Sequence, residues 1–479
     1  MLARSYSART SSVFPLTNIR PTCSASRLRQ LRHLQVPRQR TMATASHIEL
    51  NPASAGIYHV PDISTESGKI GSQLLQENHD KYHIYFNTGG FHNHIAHHLL
   101  TIYALGATPE EIQKAFDINK SYQRPQFPVD NREVEALADH DKFKQFLGKE
   151  KYFHDFEIFF QKEIEEKGWE KVLDEHLFAR NEHAERMLDR MFAGFLHPLI
   201  HLGFGVEFKQ PAIIVEALAQ AAIHDGWTGK FLHSAEAAAK GNTTSKSLVQ
   251  LIHEARANEK LRTSAHWEDG NKVRDGVFVR APDEMISLAS QWHVKPDELE
   301  QKTAEMINAA VYFTGAAQKP TKQIKFDFFY MHCVNCSIFF SAFLEEPWLK
   351  AEDKCRLLEW KGRLDLALYV SRGCPELLID EINNYQPKNS SDGWTEITRR
   401  VDQFPDDGHA SKLIRAIANS EQVCKPYEAQ GDDVFPIKGD MFLKLGHMAI
   451  DSVETSDPNW VRSAGFEEAW EKIPGRAKL

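Results

Sequence analysis

From residue 66 onward, apolar residues recur three and four positions apart, the spacing of one helix face. Sustained every-second-residue alternation, the signature of a half-buried strand, does not replace it anywhere. The run Gly106-Ala107-Thr108-Pro109-Glu110-Glu111 reads as one helix ending and another beginning. Gly106 suits a left-handed C-cap, Thr108 an N-cap, Pro109 a first turn, and the two acids its positive dipole end. Ile112, Ala115 and Phe116 behind it form an apolar stripe. The same pattern predicts helices over 157–178, 245–258, 283–293, 296–313, 326–344, 347–371 and 409–420. Another, over 213–223, is apolar nearly all round and therefore buried. Residues 262–282 and 386–394 read as surface loops. No internal repeat and no strand–glycine–helix unit is found. The expectation is an all-α fold, a single large multi-helix domain over residues 50–479.

Composition alters this picture mainly at the ends. Residues 1–46 hold eight arginines and no Asp, Glu or Lys; with net charge −9 overall, that leaves −17 on the rest. So acidic a body repels a phosphate backbone, which argues against a nucleic-acid partner. The leader is expected to be disordered. It reads either as a mitochondrial presequence or as an upstream extension ahead of a true start at Met42. The terminal Ala477-Lys478-Leu479 resembles a peroxisomal address. With no apolar run of membrane-spanning length and no secretory signal, the expectation is a soluble intracellular protein, in mitochondrion, peroxisome or cytoplasm. Six cysteines in 479 residues make no disulfide framework. The lone pair Cys333-Val334-Asn335-Cys336 reads as packing more readily than as zinc or redox chemistry.

The chain carries no Rossmann glycine fingerprint, no Walker A loop, no HExxH, and no ExxH pair of the di-iron type. A bound flavin is therefore not expected. What it does carry is histidine in apolar helical surroundings: His92, His94, His97 and His98 within one stretch, then His197 and His201, then His332, then His409. One such histidine is more often a core residue bonded to a carbonyl. Four groups together point to a metal cage in the helical core, since neutral imidazole is a common ligand of iron, zinc and copper. Lys412 shares a face with His409. It is either a snorkelling surface residue or, carbamylated by carbon dioxide, an anionic oxygen ligand.

NHIAHHLLTIYALGA (Asn93 to Ala107) resembles the opening motif of the questin oxidase-like family, and HPLIHLGFGVEF (His197 to Phe208) its second. FYMHCVN and DDGHASKLIRA are looser likenesses to a third and fourth. The resemblance spans about 66–450. It implies a fungal polyketide-tailoring oxidase of Baeyer–Villiger type that opens a quinone ring of an anthraquinone with molecular oxygen. It also implies NADPH as reductant, for which the chain shows no binding fingerprint. The shared pattern selects His94, His197, His332, His409 and Lys412, with His97 and His201 more replaceable and Asn93 orienting a ligand.

The expectation is a mononuclear non-haem iron held by those five residues. His94 and His201 are the candidate catalytic residues, and Phe328, Phe329 and Tyr330 wall a planar substrate. The alternatives are a metal-free oxygenase with histidine as general base and a non-catalytic helical protein that binds a polyketide.

Overall fold

The computed structural model describes residues 43–242 and 245–476. The leader to residue 42 and Ala477-Lys478-Leu479 lie outside the described residues, and the targeting expectations with them. Residues 43–46, assigned to the leader on composition, form a turn bridged from Thr44 to His47 with Ala45 buried.

Thr108 accepts from Glu111 N while the Glu111 side chain accepts from Thr108 N, a reciprocal cap, and Gly106 stands at φ 90° as the preceding C-cap. Such stops and starts repeat along the described residues, whose regular structure is nearly all helix. Among the described residues the strands are Phe326–Asp327 (β1) and Trp460–Val461 (β2), two residues each, paired in parallel. No helix among the described residues is long and apolar enough to cross a membrane.

Six helices position the site: α1 (Ile95–Leu105), α2 (His197–Glu207), α3 (Pro211–Ile223), α4 (Tyr330–Glu345), α5 (Ala351–Ser371) and α6 (His409–Cys424). All of α1 and α2 is buried, as their all-round apolar composition requires. α1 packs on α2, α2 on α4, α4 on α6 and α6 on α1, closing a ring of four, with α3 against α2 and α5 against α4.

The structure departs from the pattern reading in three places. The helix expected over 157–178 breaks at Gly168, whose φ of 84° ends Phe153–Lys167 before Trp169–Leu173 begins. The segment 326–344 opens as β1, because the Asp327 carboxylate accepts from the backbone of Phe329 and Tyr330 and starts α4 only there. Residues 262–282 are not simply a surface loop. Gly270 to Arg274 line an internal cavity, and Lys272 is buried.

The ring is braced at its far end. Arg415 on α6 makes a two-pronged pair with Glu207 on α2 (Nη1–Oε2 3.1 Å, Nη2–Oε1 2.5 Å), and both are buried. Glu207 also accepts from Ile57 N, and Arg415 donates to Tyr58 O, which ties the chain entry to the same brace. Removing one partner strands a buried charge, so Arg415→Met is expected to cost about 3–5 kcal/mol in urea unfolding. Replacing both, as Glu207→Leu with Arg415→Met, is expected to recover most of that loss. α2 and α4 approach closely at Gly203, where a Cβ would stand 2.1 Å from Phe339 Cγ. Gly203→Ala is expected to lower stability by about 1–3 kcal/mol through overpacking, read as a lower thermal midpoint.

Candidate active site

Four histidines meet at the open end of the ring, each in the first turn of its helix or just ahead of it. His94 is the N-cap of α1, His197 and His409 open α2 and α6, and His332 is third in α4. Local sequence aims them. Asp406 accepts from Gly408 N and Ala410 N, capping α6. Gly408, at φ 90°, lets the chain pass against His98, whose Cβ would lie 2.6 Å from a Cβ added there. Before α2, Gly194, Phe195 and Leu196 all stand in the left-handed region (φ 53°, 55° and 71°). For Phe and Leu that conformation is strained, of order 1–3 kcal/mol each. It swings His197 toward the other rings and seats Phe195 on Phe329.

The rings form a closed circuit. Centroids are 5.2 Å apart for His94–His197, 4.8 Å for His197–His332, 5.2 Å for His332–His409 and 4.6 Å for His409–His94. On every ring Nδ1 faces an acceptor: Asp407 Oδ2 for His94 (3.1 Å), Gly194 O for His197 (2.5 Å), Phe328 O for His332 (2.6 Å) and Asp407 Oδ1 for His409 (2.5 Å). Carbonyls and a carboxylate only accept, so each Nδ1 carries the proton and each Nε2 is left as a lone pair. His94 Nε2 and His197 Nε2 lie 3.0 Å apart, and the Nε2 atoms of His332 and His409 are buried without a partner. Two lone pairs at 3.0 Å repel unless a proton or a cation lies between them. Candidate ligand atoms of His94, His197 and His409 all fall within 4.8 Å of one another. An all-imidazole donor set with fixed tautomers fits a first-row transition metal.

Burial holds these rings neutral. It pushes His197 and His332 well below the usual histidine range. Burial and the Lys412 charge bring His94 down to about 3 against the pull of Asp407. His409 is lowered too, chiefly by burial. Lys412 is buried beside them, brought down to about 8 by burial against the fields of Asp407 and Asp406.

A cavity of about 700 Å³ opens onto His94, His197, His409 and Asp407. Phe328 and Phe329 line it; Tyr330 does not, being a core residue whose hydroxyl donates to Tyr369 O. A shallower groove of about 840 Å³ along Pro109 and Asp117 holds none of these histidines.

Some expected roles fall elsewhere. His201 is buried behind the cavity, in a line running His97 Nε2–His201 Nδ1 (3.1 Å), His201 Nε2–Glu216 Oε2 (2.7 Å) and Glu216 Oε1–His79 Nδ1 (2.7 Å). Although burial opposes both shifts, the hydrogen bonds hold Glu216 at about 2 and His79 at about 9. Asn93 orients no histidine ring: its Oδ1 accepts from Ile95 N and its Nδ2 donates to Asn78, so it sets the start of α1. Cys333 and Cys336 are buried free thiols, raised by burial, Cys336 to about 12.

The pattern reading passed over Asp407, which holds two of the four rings, and a second cluster on the cavity wall. There His92 Nε2 lies 2.9 Å from His224 Nε2, Tyr85 OH 2.7 Å from His224 Nδ1, and His92 stacks on His197 at 3.8 Å. His224 caps the C-terminus of a mostly apolar helix, the one signal that could have marked it.

The questin oxidase-like family profile matches residues 91–417. Among curated relatives, a Baeyer-Villiger monooxygenase, dmxR6, of Cryptosporiopsis sp. (strain 8999) is 44% identical over 440 residues, covering 89% of this chain and 98% of the relative. A Baeyer-Villiger oxidase, ptaJ, of Pestalotiopsis fici is 42% identical over 439 residues (90% and 99%), and a questin oxidase of Aspergillus terreus 40% over 439 residues (90% and 98%). All four histidines lie inside the matched span, and the chain belongs to the questin oxidase-like family of oxidoreductases.

Proposed function

We propose that this protein is a metal-dependent oxygenase of fungal secondary metabolism that opens a ring of an anthraquinone or related aromatic polyketide in a Baeyer–Villiger-type oxidation. The observation that carries the reading is the circuit of four imidazoles, each with its Nδ1 engaged by an acceptor, in which candidate ligand atoms of His94, His197 and His409 lie within 4.8 Å of one another. The names of the relatives supply the reaction type.

In this reading His94, His197, His332 and His409 hold a single non-haem iron. Lys412, buried and without a side-chain hydrogen bond among the described residues, joins them as a carbamate. Iron bound there would supply the redox chemistry that lets triplet oxygen react with a closed-shell organic molecule, which zinc cannot. The protein's own part is positional. Asp407 fixes His94 and His409 in one tautomer, as second-sphere carboxylates do. Phe328, Phe329 and Phe195 offer faces for a planar ring system, and the cavity walls keep bulk water from the reacting carbons. The two electrons would come from the substrate in its hydroquinone form, with NADPH as the reductant of the quinone either directly or through a partner protein.

Two measurements test this. Elemental mass spectrometry of protein purified without a histidine tag is expected to give about one iron per chain, lost in His332→Ala and in His409→Ala. Active, iron-supplemented protein with no metal above trace would leave the metal-free oxygenase in its place. Asp407→Asn keeps the side-chain shape but removes the charge facing two rings. It is expected to weaken metal binding by about 10–100-fold in a competition titration with a chelator, at unchanged helix content by circular dichroism.

A further inference from the structure

Opposite chemistry gathers on another part of the cavity lining. Arg372, at the C-terminal cap of α5, is 2% exposed and lines the cavity. Its guanidinium carbon lies 4.1 Å from the Phe329 ring centroid and 6.0 Å from that of Phe195. Nε donates to Ser371 Oγ and Nη1 to Ser463 Oγ, both neutral hydroxyls, while Nη2 is buried without a partner. Asp327, the carboxylate whose field reaches Arg372, spends both oxygens on backbone: Oδ1 on Phe329 N and Tyr330 N, Oδ2 on Ser463 N and Ala464 N.

Two more cations line the same space. The Lys272 ammonium donates to the carbonyls of His266, Trp267 and Asp269 and meets no carboxylate. Arg462 lies 4.0 Å over Phe328. None of the three makes an ion pair among the described residues. None of the acids on the lining is within ion-pair distance of them: Glu150 is paired with Arg124, Asp225 is exposed, and Asp407, whose field reaches Arg462, is hydrogen-bonded to His94 and His409. A buried guanidinium with a donor left unsatisfied is costly in a folded chain, and its flat fork suits both an aromatic face and an anionic oxygen. Phe328, under Arg462, packs at 5.1 Å on His409 and 5.0 Å on His332, so Arg462 stands one aromatic ring away from the imidazole circuit.

We propose that Arg372, flanked by Lys272 and Arg462, is the subsite for an ionised oxygen of the substrate. The enzyme takes its planar aromatic as the phenolate, with the negative oxygen facing the Arg372 guanidinium and the ring plane along Phe329 and Phe195. The phenolic proton goes to solvent before binding. The phenolate is the more electron-rich, more readily oxidised form, so the subsite selects the reactive species. This rests on the reading of the cavity as an aromatic-polyketide site.

The test is anaerobic titration of the full-length protein with 2-hydroxyanthraquinone, whose visible band moves to longer wavelength on ionisation. Wild type is expected to lower the apparent pKa of the bound dye by about one unit or more, a tenfold preference for the anion. Arg372→Gln is expected to return it to the value in free solution, Arg372→Lys to restore part of the shift, and Arg462→Gln at the exposed rim to reduce it. A bound dye with no preference for the anion, or a folded Arg372→Gln protein with the wild-type shift, overturns the assignment of Arg372 and leaves the cavity reading intact. Should Arg372→Gln not fold, an undiminished shift in Arg462→Gln and Lys272→Met overturns it. A folded wild type that binds neither form of the dye overturns both the subsite and the aromatic-substrate reading.

Discussion

Buried imidazole nitrogens crowded together without hydrogen-bond partners are the constraint around which this end of the fold is arranged. A polar atom removed from water without a partner is destabilising by kilocalories, and here the Nε2 atoms of His332 and His409 lack one while those of His94 and His197 are 3.0 Å apart. Protonation would relieve the repulsion, but burial drives these rings toward neutrality, and every Nδ1 already holds its proton against a fixed acceptor. An electron-pair acceptor between them would relieve it, and the proposed metal is such an acceptor.

Holding the lone pairs in register requires rigidity at both ends of the helix ring. At the histidine end it comes from strain, in Gly194, Phe195 and Leu196, and from the Asp406 cap. At the other end the Glu207–Arg415 pair locks α2 to α6 where both are buried. Between them Gly203 allows α2 and α4 to approach until Phe339 lies over bare backbone. A change far from the histidines therefore reaches them through helix placement, because close-packed helices shift as bodies.

Much of this was legible in the sequence where the determinant is local. The Thr108–Glu111 cap, the Gly106 stop and the buried helix Pro211–Ile223 follow from spacing within a few residues. The four histidines stood out because imidazole in an apolar run is anomalous. What was missed depends on partners distant in the chain. Asp407 meets His94 across 313 residues, and nothing local separates it from Asp406, which turns to the backbone instead. His201 looked as catalytic as His94 by composition, yet it faces Glu216. Arg372 carries no local signal in the sequence; only the fold sets it beside Phe329 and Phe195. The break at Gly168 was missed because a glycine inside a charged, periodic run does not itself announce a positive φ.

The electrostatics of the site also bear on Lys412. Four helix N-termini meet around the imidazole circuit, and each carries a partial positive charge. Arg372, Lys272 and Arg462 add full charges on the cavity lining. A metal cation among neutral imidazoles would face that field with Asp407 as the carboxylate at hand, and an ammonium at Lys412 would add repulsion. Turning the ammonium into a carbamate changes the local charge by two units, from repelling to attracting the metal, without moving the backbone. The same field, undiminished in the cavity, draws in an anionic substrate. The proposed carbamate at Lys412 and the proposed phenolate subsite would thus be two responses to one fact of the fold, the convergence of helix N-termini on a buried site.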